Sequence, residues 1–378
     1  MVFWPSAVLM LLTECPLVPE WTDQPIGRSI PVDLSPELSG VNNAQLLLLD
    51  AEGERLASCA LPGASFDLGA LMPEVWALEK AAWLQVFAEA EPVGAPLVAM
   101  PLLSRQVPIM EAASTPEGRA YARVVGWRDE LDVPVEPPVF PDRPAADAEP
   151  AVQRAWGELV ERMQAEYERQ LEEAAAIREM LPLRTGLRLI PDQLVVIRTD
   201  YGEITVQMRW DAAPHTAEHF LKLSQNGYYR DVIFHRIVPY TGSGDPFVIQ
   251  AGDPSGTGNG GPGTWLPMER STLPHDFGVI SMARDNDPDS AGSQFFLCLS
   301  REGTARLDGS YTSFGETLSG AGAIRSIASV ELADPETGSP VRPPRILGMR
   351  LVPAPPRMVR QAPETVDPVA SPADRFPR

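Results

Sequence analysis

FHRIVP at Phe234–Pro239, PFVIQAGDP at Pro246–Pro254, GTGNGGPG at Gly256–Gly263, ISMAR at Ile280–Arg284, GSQFFL at Gly292–Leu297 and LDGSYTSFG at Leu307–Gly315 all lie within Val232–Gly315. Almost every aromatic residue in this stretch stands beside a glycine turn or a polar residue able to hydrogen-bond. One arginine, Arg236, lies among them with no acidic neighbour. That composition describes a groove walled by apolar rings, with one cation and one amide, Gln250, inside it. Phe247, Val248, Phe295 or Phe296, Leu307 and Tyr311 supply the walls. Such a groove suits an extended peptide with one apolar ring: the aromatic walls take the ring, and Gln250 and backbone groups take the hydrogen bonds.

Three other chemistries are weighed against this reading. GTGNGG at Gly256–Gly261 formally matches G-x-G-x-x-G, but a dinucleotide fingerprint needs a helix to begin inside it. Pro262, Gly263 and Pro267 follow instead, so a surface loop using glycine at positive φ is expected. His215 and His219 are four apart on an expected helix, yet HTAEH lacks the H-E-x-x-H pattern and a third ligand. They read as solvent-facing helix residues. A Ser or Cys nucleophile needs a positioned base. His235 is the base considered, and strand alternation between Phe234 and Arg236 points it away from the groove.

Outside the stretch, the 378 residues allow two domains and an independent helical piece. A formal charge of −20 argues against nucleic-acid partners and anionic membrane surfaces. Cys15, Cys59 and Cys298 have neither metal spacing nor a disulfide framework. No apolar run reaches the roughly 18 residues a membrane span requires. Ala7–Leu12 is apolar, but the first basic residue is Arg28 and no small-residue cleavage site follows. A soluble, cytoplasmic protein is therefore favoured over an exported one.

Residues 1–24 carry no clear signal. Residues 25–107 read as a small β-sandwich, immunoglobulin-like in the broad sense, from the strands Ser29–Leu34, Ala44–Asp50, Glu54–Leu61, Trp83–Ala90 and Pro96–Leu103. A short helix is expected at Leu71–Ala82. Residues 108–150 form a Pro-rich connector, with a short helix or a wrapping segment at Glu117–Asp132. Residues 151–181 read as a long amphipathic helix, spanning about 45 Å. Its apolar stripe runs through Val152, Trp156, Leu159, Met163, Tyr167, Leu171, Ala174, Ile177 and Leu181, and Pro182 stops it. The stripe is expected to pack on its own protein or to bind a partner or a second copy. From Gln193 a hairpin turns at Asp200–Gly202, helices follow at Ala213–Leu223 and Ala321–Val330, and a last strand covers Arg345–Val352. Residues 354–378 read as a disordered Pro-rich tail.

The motifs FHR, PFVIQAGDP, SMAR followed by GSQFFL, and LDGSYTSFG stand in the order and spacing that resemble the cyclophilin family of peptidyl-prolyl isomerases. The resemblance covers about Gln193–Val352 and implies an eight-stranded antiparallel β-barrel with two capping helices, within residues 190–353. The whole chain is then expected to be mainly β. The resemblance further implies that Arg236 is the catalytic arginine and that Phe247, Val248, Gln250, Ala283, Arg284, Gln294, Phe296, Leu307 and Tyr311 bind substrate. It implies no metal and no cofactor, and X-Pro-containing polypeptides as partners. Cyclosporin-sensitive members carry tryptophan before LDG. Arg306 stands there, so weak cyclosporin binding is expected. Tyr311 replaces the more frequent histidine and still covers the proline. The implied function is X-Pro isomerisation in protein folding. The alternative is a proline-segment-binding chaperone or scaffold whose N-terminal half recruits clients.

Overall fold

The computed structural model describes residues 14–26, 28–38, 44–103, 106–114, 120–129, 137–145, 148–180 and 184–360; Ala7–Leu12 and residues 361–378 lie outside them. Alternation of apolar and polar residues builds an antiparallel eight-stranded sheet in the C-terminal half. In space its strands run Arg236–Tyr240, Pro246–Ala251, Phe295–Cys298, Val279–Met282, Ser313–Ser319, Gly202–Met208, Gln193–Thr199 and Ile346–Pro353. The two edge strands come together through an isolated bridge between Ile233 and Arg345. Backbone hydrogen bonds from Phe234 N to Pro344 O and from Ile346 N to Val232 O join the same edges. These bonds draw the two ends of the curled sheet together at one corner, giving a partly closed, barrel-like sheet.

Strand period sorts the side chains. Ile249, Ala251, Ile280, Met282, Phe295 and Leu297 turn into the barrel core, while Val248, Phe296, Cys298 and Val279 gather in a smaller core outside it. Helix Pro214–Gln225 contributes Ala217, Phe220 and Leu221 to the barrel core, and helix Ala321–Ala328 contributes Ala323, Ile324 and Ile327. Glu269 satisfies the first of these helices at its N-terminus: its carboxylate accepts from His215 N at 3.1 Å and Thr216 N at 2.7 Å.

The N-terminal half is a sandwich of two sheets. One holds six strands in the order Asp23–Pro25, Arg184–Pro191, Glu91–Leu103, Ala82–Ala88, Gln45–Leu49 and Arg55–Ala60; the other holds Leu17–Pro19, Pro31–Leu34 and Ser65–Asp67. Ile30, Val32, Leu46, Leu48, Leu84, Val86 and Leu187 share its core. The helix expected over Leu71–Ala82 is instead one turn, Leu68–Leu71, and a 3-10 segment, Pro73–Ala77. Asp67 caps the first turn, accepting from Gly69 N and Ala70 N, and Pro73 cannot donate to continue it.

Strand Arg184–Pro191 follows the long helix in sequence but pairs with Glu91–Leu103 in the sandwich. Residues 106–180 are therefore an excursion between two neighbouring strands. Within it, Gln106–Ser114 pairs antiparallel with Ala120–Asp129, where a short helix or a wrap was expected. Helix Pro150–Met180 has no fully buried side chain among its described ones, which run to Glu172. Trp156, Val160, Met163 and Tyr167 are half-buried, whereas Val152, Leu159 and Leu171 are exposed. The Trp156 indole donates to Pro141 O at 3.1 Å, so the Pro-rich segment touches this face. The stripe positions Ala174, Ile177 and Leu181, and Pro182, lie outside the described side chains.

The two halves meet over a buried polar joint. Strand Ala82–Ala88 is buried at all seven positions, so both of its faces need covering. One face packs in the sandwich; on the other, Trp83 enters the barrel core with Val98 and Met100. Asp192, fully buried, accepts from Trp83 Nε1 at 2.9 Å and from Trp210 Nε1 at 3.0 Å. The Arg357 guanidinium lies 3.5 Å from the centre of the Trp83 ring. Arg357 N also donates to Gln85 Oε1 at 2.8 Å, and Arg360 N donates to Gly53 O at 2.9 Å. Residues 354–360, expected to open a disordered tail, thus lie against the sandwich because Arg357 finds a ring and a carboxylate there.

Candidate active site

The smaller outer core floors a groove. Arg236, Phe247, Val248, Gln250, Ala283, Arg284, Phe296, Leu307 and Tyr311 line a cavity of about 120 Å³. Every residue expected on that wall is there except Gln294, which sits one hydrogen bond away. The choice between Phe295 and Phe296 is also resolved: Phe295 is a barrel-core residue and Phe296 faces the groove. Leu307 ends the short 3-10 turn Ala305–Leu307, and Tyr311 N donates back to Leu307 O at 3.1 Å, which turns the phenol towards the groove. The Phe296 and Tyr311 rings meet edge to face at 5.7 Å, an arrangement that ring quadrupoles favour.

Amide polarity propagates along a relay. Gln294 Nε2 lies 2.9 Å from both Gly258 O and Gly260 O, which can only accept. The amide nitrogen must face them, so Gln294 Oε1 faces Gln250 and accepts from its Nε2 at 3.0 Å. Gln250 Oε1 is thereby turned to Arg236, whose Nη1 donates to it at 3.2 Å. Arg236 is exposed and has no carboxylate partner among the described residues. One neutral contact leaves most of its donors free to meet a substrate.

The glycine loop that anchors the relay is itself held by Asp253. Gly256, Gly258 and Gly263 take positive φ, as the loop reading requires. A Cβ at Gly260 would overlap the Asp253 carboxylate. Burial works against the charge on Asp253, but the Ser255 hydroxyl and the N–H groups of Gly260, Ser255 and Gly258 outweigh it and hold the carboxyl down at about 2. The loop also walls a second, wider cavity of about 560 Å³, lined by Gln294 among others, that shares Gln250, Ala283 and Arg284 with the groove.

With this geometry in place, comparison with known proteins is specific. The family model described as cyclophilin type peptidyl-prolyl cis-trans isomerase/CLD matches residues 194–351. A peptidyl-prolyl cis-trans isomerase of Arabidopsis thaliana is 34% identical over 163 residues, covering 42% of this chain and 93% of that protein. The chain belongs to the cyclophilin-type peptidyl-prolyl cis-trans isomerases. A peptidyl-prolyl cis-trans isomerase-like 2 of Rhizopus delemar is 41% identical over 139 residues; the match spans 35% of this chain and only 24% of that longer protein. Among solved structures, a Cryptosporidium parvum cyclophilin type isomerase is 29% identical and covers 44% of this chain and 100% of its own, at a TM-score of 0.39.

The cyclophilin groove has a support that the sequence reading passed over. His275, fully buried, stacks on the back of Phe296 at 6.0 Å and 16°. Its Nδ1 lies 2.9 Å from Asp308 Oδ1 and its Nε2 lies 2.9 Å from Ser281 Oγ. Asp308 is held far below the usual carboxylate range by Arg301 and, against some burial, by His275. An ionised carboxylate only accepts, so Nδ1 carries the proton and the Ser281 hydroxyl donates to Nε2. The order Ser–His–Asp resembles an acyl-transfer triad, but Ser281 is 0% exposed and reaches no substrate. Its consequence is mechanical: the Phe296 ring is backed by a fixed imidazole. The histidine ahead of the ISMAR strand, followed by LDG, is the signal that could have found it.

The remaining histidines take no part in the groove. His215 is exposed, while His219, expected to face solvent, is half-buried with Nε2 3.0 Å from Gly292 O. The strand alternation expected around His235 does not extend to it. The strand begins at Arg236 and Phe234 is in the core, so the two do not share a face. His235 is half-buried and lies against Gly258 of the glycine loop. Cys298 is buried in its strand, and burial pushes its thiol up to about 12.

Proposed function

We propose that this chain catalyses rotation about X-Pro bonds through non-covalent stabilisation of the twisted imide by Arg236, and that it does so to assist protein folding. The barrier to rotation is about 18–20 kcal/mol because the C–N bond is partly double. An enzyme that favours the twisted state lowers it. In that state the imide nitrogen regains its lone pair, and a guanidinium donor beside it stabilises the developing basicity. Arginine keeps its charge in any such setting and presents a rigid fork. Phe247, Phe296, Leu307 and Tyr311 would hold the pyrrolidine ring while the chain on the other side turns. Gln250, oriented by Gln294, would fix the substrate backbone.

The observation that carries this reading is the placement of an uncompensated Arg236, tied to Gln250, at the edge of an apolar cavity of about 120 Å³. Its test is turnover of an Ala-Pro peptide by the full chain and by Arg236→Ala. A fall of at least tenfold with an unchanged circular-dichroism spectrum supports it, and equal turnover sinks it. Faster refolding of a proline-limited client by the wild-type chain, lost in the variant, would support the folding role. The Arg306 guanidinium sits 4.7 Å from the Phe247 ring where an indole marks cyclosporin-sensitive members, so weak cyclosporin binding belongs to the same reading.

A second reading rests on the long helix. Its half-exposed stripe around Met163 and Tyr167 favours recruitment of a client, partner or second copy through residues 106–180. Sedimentation of the full chain over a wide concentration range, with and without Met163→Glu and Tyr167→Glu, tests self-association directly.

A further inference from the structure

Three guanidiniums surround the groove of a chain whose net charge is −20. Arg236 stands at one edge. Arg284 covers the outer face of Tyr311, 4.6 Å from the ring centre, and Arg306 covers Phe247 at 4.7 Å. Tyr311 and Phe247 are both groove walls. None of the three arginines has a carboxylate within salt-bridge distance among the described residues, although acidic side chains outnumber basic ones by 51 to 31 in the chain. The acid nearest to Arg306 in sequence, Asp308, is already taken by Arg301 and His275.

The three are not equivalent. Arg284 has its donors occupied by backbone carbonyls: Nε and Nη2 reach Ser310 O at 3.3 and 3.0 Å, and Nη1 reaches Asp285 O at 2.7 Å. It is a clamp that fixes the Tyr311 loop. Arg306 is exposed and has no hydrogen-bond partner among the described residues. A ring contact uses the face of a guanidinium and leaves its edge donors available. Arg306 is therefore a preset, unsatisfied cation on the rim, next to Leu307 and across the ring floor from Gln250.

We propose that Arg306, reinforced by the field of Arg236 and Arg284, makes this groove prefer X-Pro segments that carry an acidic side chain next to the proline. The inference deepens the isomerase reading above and rests on it. A carboxylate beside the proline would meet the free edge of Arg306, while a lysine there would meet three like charges. In a chain of net charge −20, a local group of three arginines is where an acidic segment meets the least repulsion. An exposed ion pair supports a few-fold effect rather than a large one.

The test compares full-chain kcat/KM on three X-Pro peptide series: neutral, Glu and Lys at the residue before or after the proline. The expected result is that Glu at one of these positions raises kcat/KM about threefold over neutral and Lys lowers it. Both differences shrink at 0.5 M salt, and in Arg306→Gln the Glu-to-Lys ratio falls towards one. Equal turnover of the three series by the wild-type chain overturns the acidic preference while leaving the isomerase reading standing. A preference that survives in Arg306→Gln overturns the role of Arg306. Absence of turnover on every series, the neutral one included, would instead sink the isomerase reading itself.

Discussion

Arg236 and Arg357 lie in opposite kinds of surroundings, and the contrast separates what this molecule spends on chemistry from what it spends on cohesion. Arg236 is exposed, bonded to one neutral amide, and has no carboxylate partner among the described residues. Arg357 is half-buried over Trp83, feels the charge of the Asp192 carboxylate, and donates from Nη1 to Asp50 O and Ala51 O. Burial pulls the Arg357 guanidinium down from its ordinary value while Asp192 raises it; burial likewise pushes the Asp192 carboxyl up, with Arg357 and the two indoles opposing. A cation meant to meet substrate is left under-bonded. The cation that joins the two halves lies on a ring, donates from Nη1 to two backbone carbonyls and feels the charge of a buried carboxylate, although its Nε meets no acceptor among the described residues.

The largest expected effect breaks the joint. Asp192→Ala leaves two buried indole N–H groups without their acceptor and removes the negative charge that opposes the Arg357 guanidinium, so stability should fall by about 3–5 kcal/mol in urea unfolding. Turnover per folded molecule should stay near wild type, since Asp192 is remote from the groove. Next comes the reverse case: Arg236→Ala should cost about 1.4 kcal/mol of transition-state stabilisation or more, the equivalent of tenfold in kcat/KM, with no change in the urea midpoint.

The third prediction concerns pH. Asp253 titrates near 2 in the folded protein, below its unfolded value of about 3.9. The folded state therefore favours the ionised form. The resulting stability is complete above about pH 4 and disappears as pH falls towards 2. The difference in unfolding free energy between wild type and Asp253→Asn, read from urea titrations, should be of the order of one hydrogen bond, roughly 1 kcal/mol, at pH 6 and should vanish near pH 2. The smallest effect sharpens the relay. Gln294→Leu removes the acceptor that orients Gln250, so KM should rise about threefold while kcat moves less.

The groove was readable because its chemistry is local. FHR, PFVIQ, SMAR and LDG each place a side chain on a strand or a turn whose alternation is visible in the chain itself. His275 was missed because its role depends on stacking behind Phe296, a contact no spacing reveals. The exposure of Arg236 at the groove rim was likewise a matter of where the groove edge falls. In the N-terminal half, strand positions were readable but their partners were not. Arg184–Pro191 follows 31 residues of helix and still pairs with Glu91–Leu103.

By itself the sequence pointed to short strands and a groove walled by Phe247, Val248, Leu307 and Tyr311 around Arg236 and Gln250, because strand period and turn chemistry act over a few residues; the barrel, and Ala283, Arg284 and Gln294 as site residues, came from the resemblance of its motifs. Only the tertiary structure decided that the two halves share a core through Trp83, Trp210, Asp192 and Arg357. Those four come from positions up to 274 residues apart. A buried carboxylate is stable only where distant donors converge on it, and that convergence is a property of the folded chain.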